Sequence, residues 1–313
     1  MSDALDRARA SVQRGADAVL NRRGLLGTGL ELTWWATHLA TYPMGLAAEG
    51  FRDRHDVYRL EHLSPLQRSL LMHDVEAAGT PILLVHGVVD NRSVFTMLRR
   101  TLARRGFGRV TTFNYSPLSS DIREVAHRLA VRVEHVCEAT GYERIHIVGH
   151  SMGGLIARYY IQRLDGDARI HTLVTMGTPH AGTRAAHLLP LPVIQQMRPG
   201  SPLLEELTQP APQVSTRMLA LWSDLDQMVV PKQAARIEHP DLDARNVLIK
   251  GVGHLAFPVD RTVVHEIVTA LAHLETDGTT ATAGATSIAA VRPRSGAAAP
   301  ATRAPWARGG TGL

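Results

Sequence analysis

Beginning at TPILLVHG (80–87), short apolar runs rich in β-branched residues alternate with longer stretches whose apolar side chains recur every three or four positions. The runs at 81–86, 109–114, 144–149, 171–176, 217–222 and 246–250 have the length and composition of buried strands. Between them, SVFTMLRRTLARRG (93–106) and DIREVAHRLAVRVEHVCEATG (121–141) carry helical spacing and run into glycine, which closes helices readily. Strand and helix in alternation predict an α/β fold, a mainly parallel sheet with helices on both faces. Residues 181–215 break the rhythm: they are rich in proline and leucine, with one short helix-like piece, SPLLEELT. That insertion after a strand is expected to form a small helical cap or lid.

The segment IHIVGHSMGGLIARYY (145–160) passes from strand to helix through glycines set around Ser151. Gly149 and Gly153 complete G-x-S-x-G, in which small residues let strand and helix approach while the turn lifts the serine hydroxyl beyond the strand's carboxyl end. In open parallel sheets that is where ligands bind. A serine hydroxyl needs a base to become a nucleophile, and the base needs an acid to orient it. SDLDQMVVP (223–231) follows one strand and offers Asp224 and Asp226, while GVGHLAFP (251–258) follows the next and offers His254. An oxyanion would need amide donors, and those of Val88, just past His86-Gly87, and Met152 are placed for it. His86 and His150 are expected to shape their turns rather than move protons.

VHG (85–87), GHSMGG (149–154) and TPHAGT (178–183), in this order, resemble the α/β-hydrolase superfamily, and within it bacterial lipases and esterases. The resemblance spans about residues 78–274. It implies hydrolysis of carboxylic esters, with lipid-like acyl groups, through an acyl-enzyme on Ser151, with His254 as base. It favours Asp226 over Asp224 as the orienting acid, because such lipases follow that aspartate with β-branched residues and proline, as Val229, Val230 and Pro231 do here. TMGTPHAGT (175–183) is similar to the stretch that lines the acyl pocket in those lipases, and QMRPGSPLLEEL (196–207) to their lid. An acyltransferase or thioesterase would use the same machinery, and a non-catalytic binding protein of this fold is a further alternative. The expected ligand is a small ester or lipid. No cofactor is called for, and no H-E-x-x-H or clustered carboxylate spacing suggests a catalytic metal.

With 313 residues, 44% hydrophobic and 20% charged, the chain suits one catalytic domain at 78–275, an N-terminal helical extension at 1–77 and a disordered Ala/Gly/Pro/Arg tail at 276–313. The formal charge of +5 does not suggest nucleic acid, because residues 278–313 hold Arg292, Arg294, Arg303 and Arg308 and no acid. Cys137 is the single cysteine, so an intrachain disulfide is excluded. Residues 24–48 are apolar and aromatic, but Glu31 and His38 interrupt them, which reads as an amphipathic helix packed on the body or on a membrane surface. NRRGLLG (21–27) resembles a twin-arginine export signal, so export stands beside a cytoplasmic or peripheral membrane location. Oligomeric state has no signal in the sequence.

Overall fold

The computed structural model describes residues 79–88, 92–116, 121–188 and 190–272. The expected extension at 1–77, with its apolar stretch 24–48, and the tail at 276–313 lie outside the described residues.

Six strands form one sheet: β1 (Ile82–Val85), β2 (Val110–Phe113), β3 (Ile145–His150), β4 (Ile170–Met176), β5 (Arg217–Ser223) and β6 (Ala244–Ile249). They lie in the order β2-β1-β3-β4-β5-β6, and every pairing is parallel. The main helices are α1 (Thr96–Arg104), α2 (Ile122–Thr140), α3 (Met152–Arg163), the short α4 (Pro192–Gln195) and α5 (Pro202–Thr208), and α6 (Arg261–Leu271). This is the α/β-hydrolase fold.

Alternation of side chains along each strand divides the core between the two faces of the sheet. Leu83 and Val85 of β1 and Ile145 and Ile147 of β3 join one apolar cluster with α2, α3 and α5. Ile82, Leu84 and Val148 join the other with Leu98 and Leu102 of α1 and Val263, Val264, Ile267 and Leu271 of α6. Of the inner strands, β1, β3 and β4 are buried throughout, as strands covered on both faces are. The α2 helix begins where Asp121 accepts a hydrogen bond from the Arg123 amide and ends at Gly141, whose φ of 75° is open to glycine at little cost.

The chain steps from β1 outward to β2 and then returns across β1 to β3. The order reverses between β1 and β3, which opens a crevice beyond their carboxyl ends. Val88 follows one of these strands and Ser151 the other.

The insertion expected to be a cap has two parts. Leu203, Leu204 and Leu207 of α5 are buried in the main core beside α2 and α3. Leu188 and Leu191, ahead of α4, are 80% and 50% exposed. Among the described residues of the insertion, only Leu188 and Leu191 present large apolar side chains to solvent. Among the described residues, no helix is long and apolar enough to cross a membrane.

Candidate active site

Ser151 takes φ 54° and ψ −125°, a sparsely populated conformation for a residue with a Cβ, held where β3 turns into α3. Its amide donates to the Met176 carbonyl at 2.9 Å, and its carbonyl accepts from the Gly154 amide and, at 2.8 Å, from the Thr178 hydroxyl. The Ser151 side chain makes no capping bond to the helix that follows it. The glycines around it are needed for contact rather than flexibility. A Cβ on Gly149 would stand 2.7 Å from the Gly154 backbone, and one on Gly153 would collide with the Val85 carbonyl. Strand and helix therefore touch at their backbones.

Asp226 and His254 meet at the ends of β5 and β6, 1% and 4% exposed. His254 Nδ1 donates to Asp226 Oδ2 at 2.8 Å. Because the carboxylate only accepts, this bond places the proton on Nδ1 and leaves Nε2 as the nitrogen that takes up another. The second carboxylate oxygen accepts from the amides of Met228 and Val229 at 2.8 and 3.0 Å. Asp224 points elsewhere: its Oδ1 accepts from the Gly251 amide at 2.7 Å, and its carbonyl is bonded by the Lys232 ammonium. Of the two acids, the structure brings only Asp226 to His254.

The two neighbouring histidines hold backbone. His150 Nε2 donates to the His254 carbonyl at 2.9 Å, tying the residue before Ser151 to the histidine loop. His86 Nδ1 donates to the Gly87 carbonyl, and its ring stacks on Tyr115 with centroids 4.3 Å apart. The Tyr115 hydroxyl donates to the His86 carbonyl at 2.7 Å, so the turn leading to the half-buried Val88 is fixed from the β2 side. Met152 is the first residue of α3, where helix amides lack internal partners.

Residues 175–183 hold the site together, a role that their sequence does not disclose. Gly177, at φ 55°, passes so close that a Cβ there would lie 2.8 Å from Asp226 Oδ2 and 3.1 Å from His254 Nδ1. Thr178 bonds the Ser151 carbonyl, and Thr183 bonds the loop that carries Asp226. His180 is buried, with Nε2 3.0 Å from the Thr175 hydroxyl; burial, with the Arg158 charge nearby, pushes its pKa well below the ordinary range, so it is neutral. Arg158 is itself buried, donating to Gln162 Oε1 at 2.6 Å and to the Leu207 carbonyl at 3.0 Å. Burial, helped by nearby Arg163, brings its pKa down to about 10, which leaves it charged at neutral pH. The sequence marked 175–183 through its likeness to an acyl-pocket lining, which says nothing of these bonds to the Ser151 turn and the Asp226 loop.

The chain matches the palmitoyl protein thioesterase family over residues 81–224, which include Ser151 and stop before Asp226. It is 34% identical over 106 residues to Lipase 1 of Psychrobacter immobilis, covering 31% of this chain and 32% of that protein. It is 29% identical over 118 residues to a triacylglycerol lipase of Pseudarthrobacter phenanthrenivorans, covering 35% and 36%. The alignments thus span about a third of these curated relatives. The crystal structure of Aspergillus fumigatus lipase B superposes with a TM-score of 0.55 at 14% identity, over 62% of this chain and 53% of that one. The chain thus has the α/β-hydrolase fold and is similar, over part of its length, to bacterial lipases and to palmitoyl protein thioesterases.

Proposed function

We propose that the protein hydrolyses carboxylic esters with apolar, lipid-like acyl groups through an acyl-enzyme on Ser151. The observation that carries this reading is the buried Asp226–His254 pair, hydrogen-bonded at 2.8 Å and tied through His150 to the strained turn that presents Ser151. In the first step the Ser151 hydroxyl oxygen bonds to the ester carbonyl carbon and gives its proton to His254 Nε2, while Asp226 stabilises the imidazolium. The developing oxyanion lies against the amides of Val88 and Met152, the second at the positive end of the α3 dipole. Collapse breaks the bond to the alcohol oxygen, which takes the proton from His254. Water then attacks the acyl-serine by the same sequence, releases the acid and restores the hydroxyl.

An apolar substrate is supported by the relatives' identities as lipases and by the exposed Leu188 and Leu191. Met228 and Val230, also partly exposed, lie on the Asp226 loop, and that loop is bonded to the segment leading to Leu188. The match to palmitoyl protein thioesterases favours a second reading of the same site, in which the acyl group arrives on sulfur.

The test is Ser151→Ala with both substrate classes. Wild-type enzyme should hydrolyse p-nitrophenyl esters and be labelled by a fluorophosphonate. Ser151→Ala should retain its thermal transition and lose labelling and at least about a thousandfold of the rate. Near wild-type turnover by Ser151→Ala would dismiss Ser151 as the nucleophile. A higher kcat/KM on a palmitoyl thioester than on the matched oxygen ester would select the thioesterase reading.

A further inference from the structure

Thr183 is buried among segments from three parts of the chain. Its amide donates to the Met197 carbonyl at 2.8 Å, and the next amide, that of Arg184, donates to the Val230 carbonyl at 2.8 Å. Its hydroxyl donates to the Met228 carbonyl at 2.8 Å and accepts from the Val230 amide at 2.9 Å. A longer contact, 3.2 Å from the Ala185 amide, caps the turn that follows.

The Met228 carbonyl and the Val229 amide belong to one planar peptide unit, with oxygen and hydrogen on opposite sides. The oxygen accepts from Thr183, and the hydrogen on the other side is donated to Asp226 Oδ1 at 3.0 Å. The remaining carboxylate oxygen holds His254 Nδ1. An unbroken chain of hydrogen bonds therefore runs from the Thr183 hydroxyl through one peptide and the Asp226 carboxylate to the imidazole. Bonds in such a series polarise one another, and each fixes the orientation of the next.

We propose that Thr183 is a positioning residue for Asp226: its hydroxyl sets the plane of the 228–229 peptide and thereby the carboxylate that aligns His254. This rests on the reading of Asp226 and His254 given above. Capping of the Arg184–His187 turn would serve stability alone, whereas the peptide relay serves the chemical step. Substrate binding depends on the acyl pocket, so a loss confined to the relay should appear in kcat.

The experiment compares Thr183→Val, Thr183→Ser and Asp226→Asn, alone and combined, with rates divided by the concentration of reactive serine found by fluorophosphonate titration. Thr183→Val should lower kcat about tenfold, the worth of roughly one buried hydrogen bond, with KM unchanged. Thr183→Ser, which keeps the hydroxyl, should restore most of the rate. In the Asp226→Asn background Thr183→Val should cost little more, because the group being positioned no longer performs its role. The proposal is overturned if kcat is unchanged in Thr183→Val, if Thr183→Ser is equally impaired, or if the same factor is lost in the Asp226→Asn background. Should Thr183→Val fold poorly, titration of reactive serine counts only competent enzyme, and Thr183→Ala supplies the same deletion without an added methyl. A normal kcat in Thr183→Val beside an inactive Ser151→Ala would sink this inference alone. Activity in Ser151→Ala would sink the reading on which it rests.

Discussion

Ser151 at φ 54° and Gly177 at φ 55° mark two places where the backbone is bent for the site, with opposite solutions. At Ser151 the chain retains a side chain despite a conformational cost of order 1–3 kcal/mol, because the hydroxyl is what the turn presents. At Gly177 it has none, because the space belongs to Asp226 and His254. The same residue-scale geometry separates the two aspartates. Asp226→Asn would leave packing nearly unchanged but no longer fix the Nδ1 proton on His254, so kcat should fall by roughly three to four orders of magnitude with little change in melting temperature. Asp224→Asn should cost less than about tenfold in kcat and act on stability, through its bond to the Gly251 amide. Steady-state kinetics beside thermal melts check this, and a crippled Asp224→Asn would exchange the assignments. Ser151, His254 and the pair Asp224 and Asp226 were legible in sequence because each follows a strand in a turn of recognisable composition, and the preference for Asp226 came from the resemblance. Gly177, Thr178 and Thr183 were not, since each acts through a backbone group or an empty volume that belongs to a distant segment.

At the scale of elements, α5 shows what burial does that ion pairing does not. Glu206 accepts from Arg123 at 2.5 Å and from the Tyr159 hydroxyl at 2.9 Å, but the two charged side chains remain 40% and 27% exposed. A pair so wetted contributes about 0–1 kcal/mol. In the same helix Leu203 and Leu207 are fully buried, and Arg158 and Gln162 of α3 donate to the Leu207 carbonyl at the helix's end. Leu207→Ala should therefore destabilise the protein by about 2–5 kcal/mol. Glu206→Gln should cost under about 1 kcal/mol. Urea unfolding distinguishes them, and a larger loss in Glu206→Gln would mean that α5 is pinned by charge. The sequence showed α5 as a short helix-like piece and the resemblance suggested a lid; its packing on α2 and α3 needed the fold, because such a pattern names no partner. Inner strands were legible almost to the residue. The edge strand β6 begins at Ala244 rather than 246, where exposed and half-buried polar residues blur the apolar signal.

In the whole molecule the site depends on segments far apart in the chain, brought together at the carboxyl ends of the strands. Residues 81–224 contain the crevice and Ser151, whereas Asp226 and His254 come from the β5 and β6 ends beyond that span. Segments that separate in sequence and meet in a buried site make global stability a condition of activity, and His180 links that stability to pH. Buried beside the Arg158 charge, it keeps a folded-state pKa well below its ordinary 6.5. Between those values the unfolded chain binds a proton that the native state rejects. The contribution of this group to stability is thus complete above pH 6.5 and is lost as pH falls toward the folded value, with a slope of up to about 1.4 kcal/mol per pH unit. Asp167 follows in stronger acid. Burial raises its pKa, but bonds from Thr216 and Ser215 outweigh that and hold it below 3.8, so its stabilisation is present above 3.8 and fails as pH drops through the folded value. Urea midpoints followed from about pH 7 to about pH 5 should fall in the wild type and fall less steeply in His180→Gln, whose amide can still meet Thr175 but takes up no proton on unfolding. The difference between the two curves isolates this position from the other histidines, and parallel curves would show that burial of His180 carries no acid sensitivity.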